Sequence, residues 1–137
     1  MDGAGNLLRT LQKGIFAQYT LVTPSNTTAY PSVGSTASAT FASMATGPVV
    51  PPTASSIKVI SANATVNAQD AIAPNNVANT TGTVTNTPYC GIVHGPGGSQ
   101  GVLTCDFTLE STNIFVATNL GTAVVSAVGW RDQVNAN

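Results

Sequence analysis

Few residues of this chain could do chemistry. His94 is the only histidine. With a serine and either Asp70 or Asp106 it could form a Ser-His-Asp hydrolase site. Such a site needs a serine raised on a nucleophile elbow. No Gly-x-Ser-x-Gly elbow is expected at any serine, and in a chain so rich in serine coincidence accounts for the match, so His94 reads as a polar loop residue. Asp106 and Glu110 could act as a carboxylate pair. On one strand they would share a face about 13 Å apart, at ~3.3 Å per residue, which is too far. The run Gly95-Pro96-Gly97-Gly98-Ser99-Gln100-Gly101 has the glycine content of a phosphate loop. It lacks the Gly-Lys-Ser/Thr signature and precedes a strand-like run, Val102–Phe107. Cys90, Cys105 and His94 are too few ligands for a closed zinc site. No calcium-loop spacing is present. The sequence therefore predicts a non-enzyme, with no catalytic, cofactor-binding or metal residues.

The elements that carry these residues are predominantly strands. Cys90–Val93 and Val102–Phe107 flank the glycine-rich stretch and read as a hairpin folded about Gly97-Gly98. Val93 then faces Val102, Ile92 faces Leu103, and Cys90 faces Cys105. Opposed Cα atoms lie about 4.5–5.5 Å apart, within disulfide range. A bridge there would contribute about 3 kcal/mol. The alternative is two reduced thiols packed with Ile92 and Leu103 as small hydrophobes, the form a reducing compartment favours.

Ile57–Ile60, Thr65–Asn67, Thr80–Thr87, Thr112–Thr118 and Thr122–Trp130 carry β-branched or alternating residues. Ala73-Pro74-Asn75-Asn76 and Asn119-Leu120-Gly121 are turn signals between them. This spacing predicts a small sandwich or barrel over 57–137. Residues 23–56 are interrupted by Pro24, Pro31, Pro48, Pro51 and Pro52. They read as an extended stretch with one strand near Ser35–Ala42. Residues 1–22 differ again. Leu7, Leu8, Leu11, Ile15 and Tyr19 recur at spacings of three and four, with Phe16 beside them, which predicts a short helix in an N-terminal arm. Gly14 weakens that helix by roughly 1 kcal/mol.

Charge narrows the function. Charged residues make up 7% of the 137, against about 25% in ordinary soluble domains. Residues 14–57 carry none. Polarity comes from Thr, Ser and Asn, whose hydroxyls and amides can be covered by a neighbour without burying ions. Such a surface suits a subunit packed against other subunits. The net charge of −1, with no Lys/Arg cluster, speaks against a nucleic-acid partner. No run approaches the ~18–20 apolar residues of a membrane span, so no membrane partner is expected. The first residues lack a basic n-region ahead of an apolar core, so export by a signal peptide is not expected. Asn26, Asn63 and Asn79 each open an Asn-x-Thr triplet, which a chain this rich in Asn and Thr produces by chance. Tyr19, Tyr30, Tyr89 and Trp130 could line a sugar-binding face, but scattered aromatics are more often core or interface anchors.

In plan, an arm at Met1–Val22, a neutral Pro-punctuated stretch to Pro52 and a β-domain, the chain resembles the small decoration (cement) proteins of tailed-phage capsids. The resemblance is one of texture and carries over no functional residue. It implies an all-β fold and a virion accessory protein on the capsid surface that binds and stabilises an assembled shell. Its partners would be the major capsid protein or other virion subunits, and copies of itself, with a trimer favoured. Leu7, Leu8, Leu11, Ile15 and Phe16 would be the interface anchors. Two other functions fit the same composition: an extracellular carbohydrate-binding or adhesin-like sandwich, and a phage tail or fibre subunit.

Overall fold

A computed structural model of the chain describes residues 10–13, 16–19, 30–77, 90–93 and 101–132. These form ten strands and no helix: β1 (Thr10–Lys13), β2 (Phe16–Tyr19), β3 (Ser32–Thr36), β4 (Ala42–Ala45), β5 (Ala54–Asn63), β6 (Gln69–Ala73), β7 (Cys90–Val93), β8 (Gly101–Thr108), β9 (Asn113–Thr118) and β10 (Ala123–Asp132). All described pairings are antiparallel. The first sheet runs β1-β2-β10-β5-β8, with β3 also on β10; the second runs β4-β9-β6-β7. The protein is an all-β sandwich.

The period of two in the sequence explains the layering. In β5, Ile57, Val59, Ser61 and Asn63 are buried while Lys58, Ile60 and Ala62 are half-exposed. β9 turns Ile114, Val116 and Thr118 inward, and β10 turns Ala123, Val125 and Ala127 inward. A register shift between Ala127 and Gly129 re-aims the end of β10, so that Trp130 packs half-buried against the core. Ile57, Ile72, Ile114, Val59, Val116 and Val125 are fully buried. Each contributes about 1.5–3 kcal/mol by leaving water.

β5 and β10 organise the first sheet. They pair along most of their length, from Val124↔Ala62 to Asp132↔Ala54. On its other side β10 takes β3 at one end and β2 at the other.

Four expectations are corrected. The arm helix is replaced by strand: among the described residues of the arm, β1 and β2 pair as Thr10↔Tyr19 through Lys13↔Phe16. Only Gly14 and Ile15 separate them, a hairpin-length connection in which Gly disfavours helix. β2 also gains backbone bonds to β10, through Gly129↔Gln18, Trp130↔Ala17 and Arg131↔Phe16, which a short isolated helix would lack.

The hairpin expected over Tyr89–Phe107 does not form either. β7 pairs with β6 in the second sheet, and β8 pairs along its whole length with β5 in the first. β8 gains eight pairs on β5, where a hairpin with the four-residue β7 would give it four.

The Pro-punctuated stretch supplies two strands rather than one. β3 joins the first sheet and β4 the second, with residues 37–41 between them outside any strand. Thr65–Asn67, expected in a strand, is a turn, with Asn67 at φ 60°. The strand expected at Thr80–Thr87 lies outside the described residues.

Candidate interaction surface

No catalytic constellation assembles among the described residues. Nor, among them, does any group of three or more His, Cys, Asp and Glu gather to hold a metal ion. Asp106 pairs with Arg131, and Glu110 accepts from Asn75 Nδ2 at 2.8 Å. His94 lies outside the described residues. Gly97-Gly98-Ser99-Gln100-Gly101 does spell a Gly-x-Ser-x-Gly run. An elbow needs a helix after the serine, whereas Ser99 leads into the strand β8. Among the described residues no helix is long and apolar enough to cross a membrane.

Cys90 and Cys105 form a disulfide with Cα atoms 6.0 Å apart. Because β7 and β8 belong to different sheets, the bond staples the two layers together. Cys105 is buried in the core and Cys90 packs half-buried against it.

At the end of the sandwich where β5 stops and β6 starts lies a buried polar cluster. Asn63 Nδ2 donates to Asp70 Oδ1 at 2.9 Å, Thr118 Oγ1 at 3.1 Å and the Leu120 carbonyl at 3.0 Å. Ser61 Oγ donates to Asp70 Oδ2 at 3.2 Å, and Thr118 Oγ1 donates to the Leu120 carbonyl at 2.8 Å. Asn63 Oδ1 accepts the Thr65 N–H at 3.0 Å. The cluster joins the two sheets and fixes both end loops. It also engages the Asn63 side chain fully, so this Asn-x-Thr triplet is closed to a glycan in the folded protein. Sequence reasoning missed the cluster. Its signal was two polar residues, Ser61 and Asn63, in the inward phase of β5.

At the opposite end a groove of about 270 Å³ opens between the β4–β5 connection and the β8–β9 turn, with Val50, Pro51, Pro52 and Leu109 among its walls. Thr46 Oγ1 donates to the Thr112 carbonyl beside it at 2.9 Å.

The outer face of the first sheet carries three of the chain's nine charged residues, Lys58, Asp106 and Arg131. Lys58 is in register with Asp106, and Arg131 with Ser56. Arg131 Nη2 meets Asp106 Oδ2 at 3.0 Å across β5, with the two side chains 51% and 36% exposed. Exposed ion pairs of this kind add under about 1 kcal/mol, so this pair matters more for what the face presents. Further along, Val124 is 45% exposed and in register with Ala62, next to Ser126 opposite Ile60. The face is thus an apolar strip leading into a mixed-charge patch.

The anchors expected in the arm divide. Phe16 is half-exposed on β2, in register with Arg131. Leu11 is on β1, in register with Gln18. Leu7, Leu8 and Ile15 lie outside the described residues. Of the aromatics, Trp130 and Tyr30 pack half-buried against the core, Tyr19 is on β2, and Tyr89 lies outside the described residues.

Compared with protein-family models, with curated proteins and with solved structures, the chain matches none.

Proposed function

We propose that this protein is a structural accessory protein of a virion that binds an assembled capsid shell and stabilises it. The observation that carries the reading is how little charge the chain holds: four basic and five acidic residues in 137. Exposed positions such as Ser35, Ser43, Thr104 and Thr108 are hydroxylic instead. Covering such a surface desolvates almost no ions. A ligand that binds only the assembled lattice stabilises it by mass action, and lattice symmetry multiplies modest contacts.

Two features support it. Among the described strands β1 is the outermost of its sheet, and an edge strand offers backbone groups to a neighbour. The disulfide suits a particle released into an oxidising medium.

The test is rebinding. Particles stripped of the protein are incubated with the purified chain and sedimented. Saturable binding at a fixed ratio to the shell subunit is expected. Deleting residues 1–13 removes β1 but leaves β2 to cover the end of β10, so the sandwich stays folded while binding is lost. A full-length chain that stays in the supernatant refutes the reading. Full occupancy by the truncated chain refutes the role of the arm.

A further inference from the structure

We propose that the outer face of the first sheet is a self-complementary docking surface that takes a second copy of this chain. The placement of the charges points to it. Lys58, Asp106, Arg131 and Asp132 are four of the chain's nine charged residues, and all sit at one end of β5, β8 and β10. Lys13 stands in the same row, opposite Phe16, which is itself opposite Arg131, so this end of the sheet carries three cations and two carboxylates, both signs close to balance. A two-fold contact requires a patch to match itself. A patch of one sign repels its own copy, whereas a patch carrying both signs attracts it once the cation of one copy stands over the carboxylate of the other.

Arg131 and Asp106 have the placement for this. They lie on the strands either side of β5, both open to solvent, joined to each other through one guanidinium nitrogen and one carboxylate oxygen. A guanidinium has five N–H donors and a carboxylate two oxygens, so each can serve a second partner. A two-fold axis passing between them sets Arg131 of one copy on Asp106 of the other, and the reverse. The strip of Ile60, Ala62 and the 45%-exposed Val124 on the same face supplies the apolar area that such a contact buries. A foreign partner would need no such two-sign symmetry.

The experiment is light scattering coupled to size exclusion on the full-length chain, near 0.1 mM, at low and at 1 M salt. The wild type is expected to associate in pairs and to weaken with salt. Arg131→Glu and Asp106→Arg, made singly, each place like charges across the contact and should raise the dissociation constant about tenfold or more. An equimolar mixture of the two single variants restores opposite charges at both contacts and should recover association, as should the double swap in one chain. Circular dichroism checks folding, which an exposed pair affects little. A wild type that is monomeric at this concentration overturns the proposal. So does a trimer indifferent to both substitutions, or a mixture of the variants that stays monomeric. None of these outcomes bears on shell binding, which the rebinding assay reads separately.

Discussion

Replacing Asn63 with alanine should cost this protein about 3–5 kcal/mol, out of a typical total of about 5–15 for a single domain. Asn63 is 2% exposed. Its amide faces three oxygens, of Asp70, Thr118 and Leu120, at 2.9–3.1 Å. An NH₂ group has two protons, so two of these contacts act at full strength at a time. One falls on a carboxylate and is worth roughly 1.5–3 kcal/mol; a neutral one is worth about 1, and the bond from Thr65 N–H adds a similar amount. Truncation also leaves the Asp70 carboxylate, 2% exposed, with one donor fewer. Water entering the gap recovers part of the loss, which keeps the total near the range given. The assay is urea unfolding followed by the fluorescence of Trp130, the single tryptophan. The midpoint should fall while the slope stays the same. A loss below about 1 kcal/mol would refute the reasoning, because the cluster would then not hold the two sheets together at that end.

Three other changes read other parts of the fold. Among the described residues the buried Ser56 Oγ has no hydrogen-bond partner, so Ser56→Ala should be neutral or stabilising by up to about 1 kcal/mol in the same assay; a loss of that size would mean that the hydroxyl is satisfied. Gly121 sits at φ +68°, and a Cβ there would collide with Thr65 Oγ1 and approach Asn63 Oδ1 to 2.8 Å. Gly121→Ala should therefore destabilise by roughly 2–4 kcal/mol, and unchanged stability would contradict the placement of that loop. Cys90→Ser with Cys105→Ser should cost about 3 kcal/mol for a 15-residue loop; equal unfolding midpoints for this variant and the oxidised parent would show that the bond does not close the sandwich.

The long central strands were the most legible part of the sequence. β5 buries every second residue from Ile57 to Asn63, β10 sets Val124, Val125 and Val128 in a run of ten, and the turn at Asn119-Leu120-Gly121 lies between β9 and β10 where its composition put it. The arm was misread because Leu7, Leu8, Leu11, Ile15 and Tyr19 fit a helical period. Only the open end of β10 makes Phe16–Tyr19 a strand, and that partner is more than a hundred residues away in the chain. The cysteine segment failed for the same kind of reason. Symmetry about Gly97-Gly98 favoured a hairpin, but β5 offers β8 a full-length ladder from Ser56↔Thr108 to Asn63↔Gly101. The interaction surface was illegible because Lys58, Asp106 and Arg131 are scattered in sequence and meet only through strand register.

The measurement that tests the central claim most directly is the content of this protein in density-banded virus particles from its source, by quantitative mass spectrometry against the shell subunit. The account predicts that it co-bands with intact particles at a fixed ratio set by the shell lattice. Its absence from the particle band, with the protein recovered only in the unassembled fraction, would contradict the account.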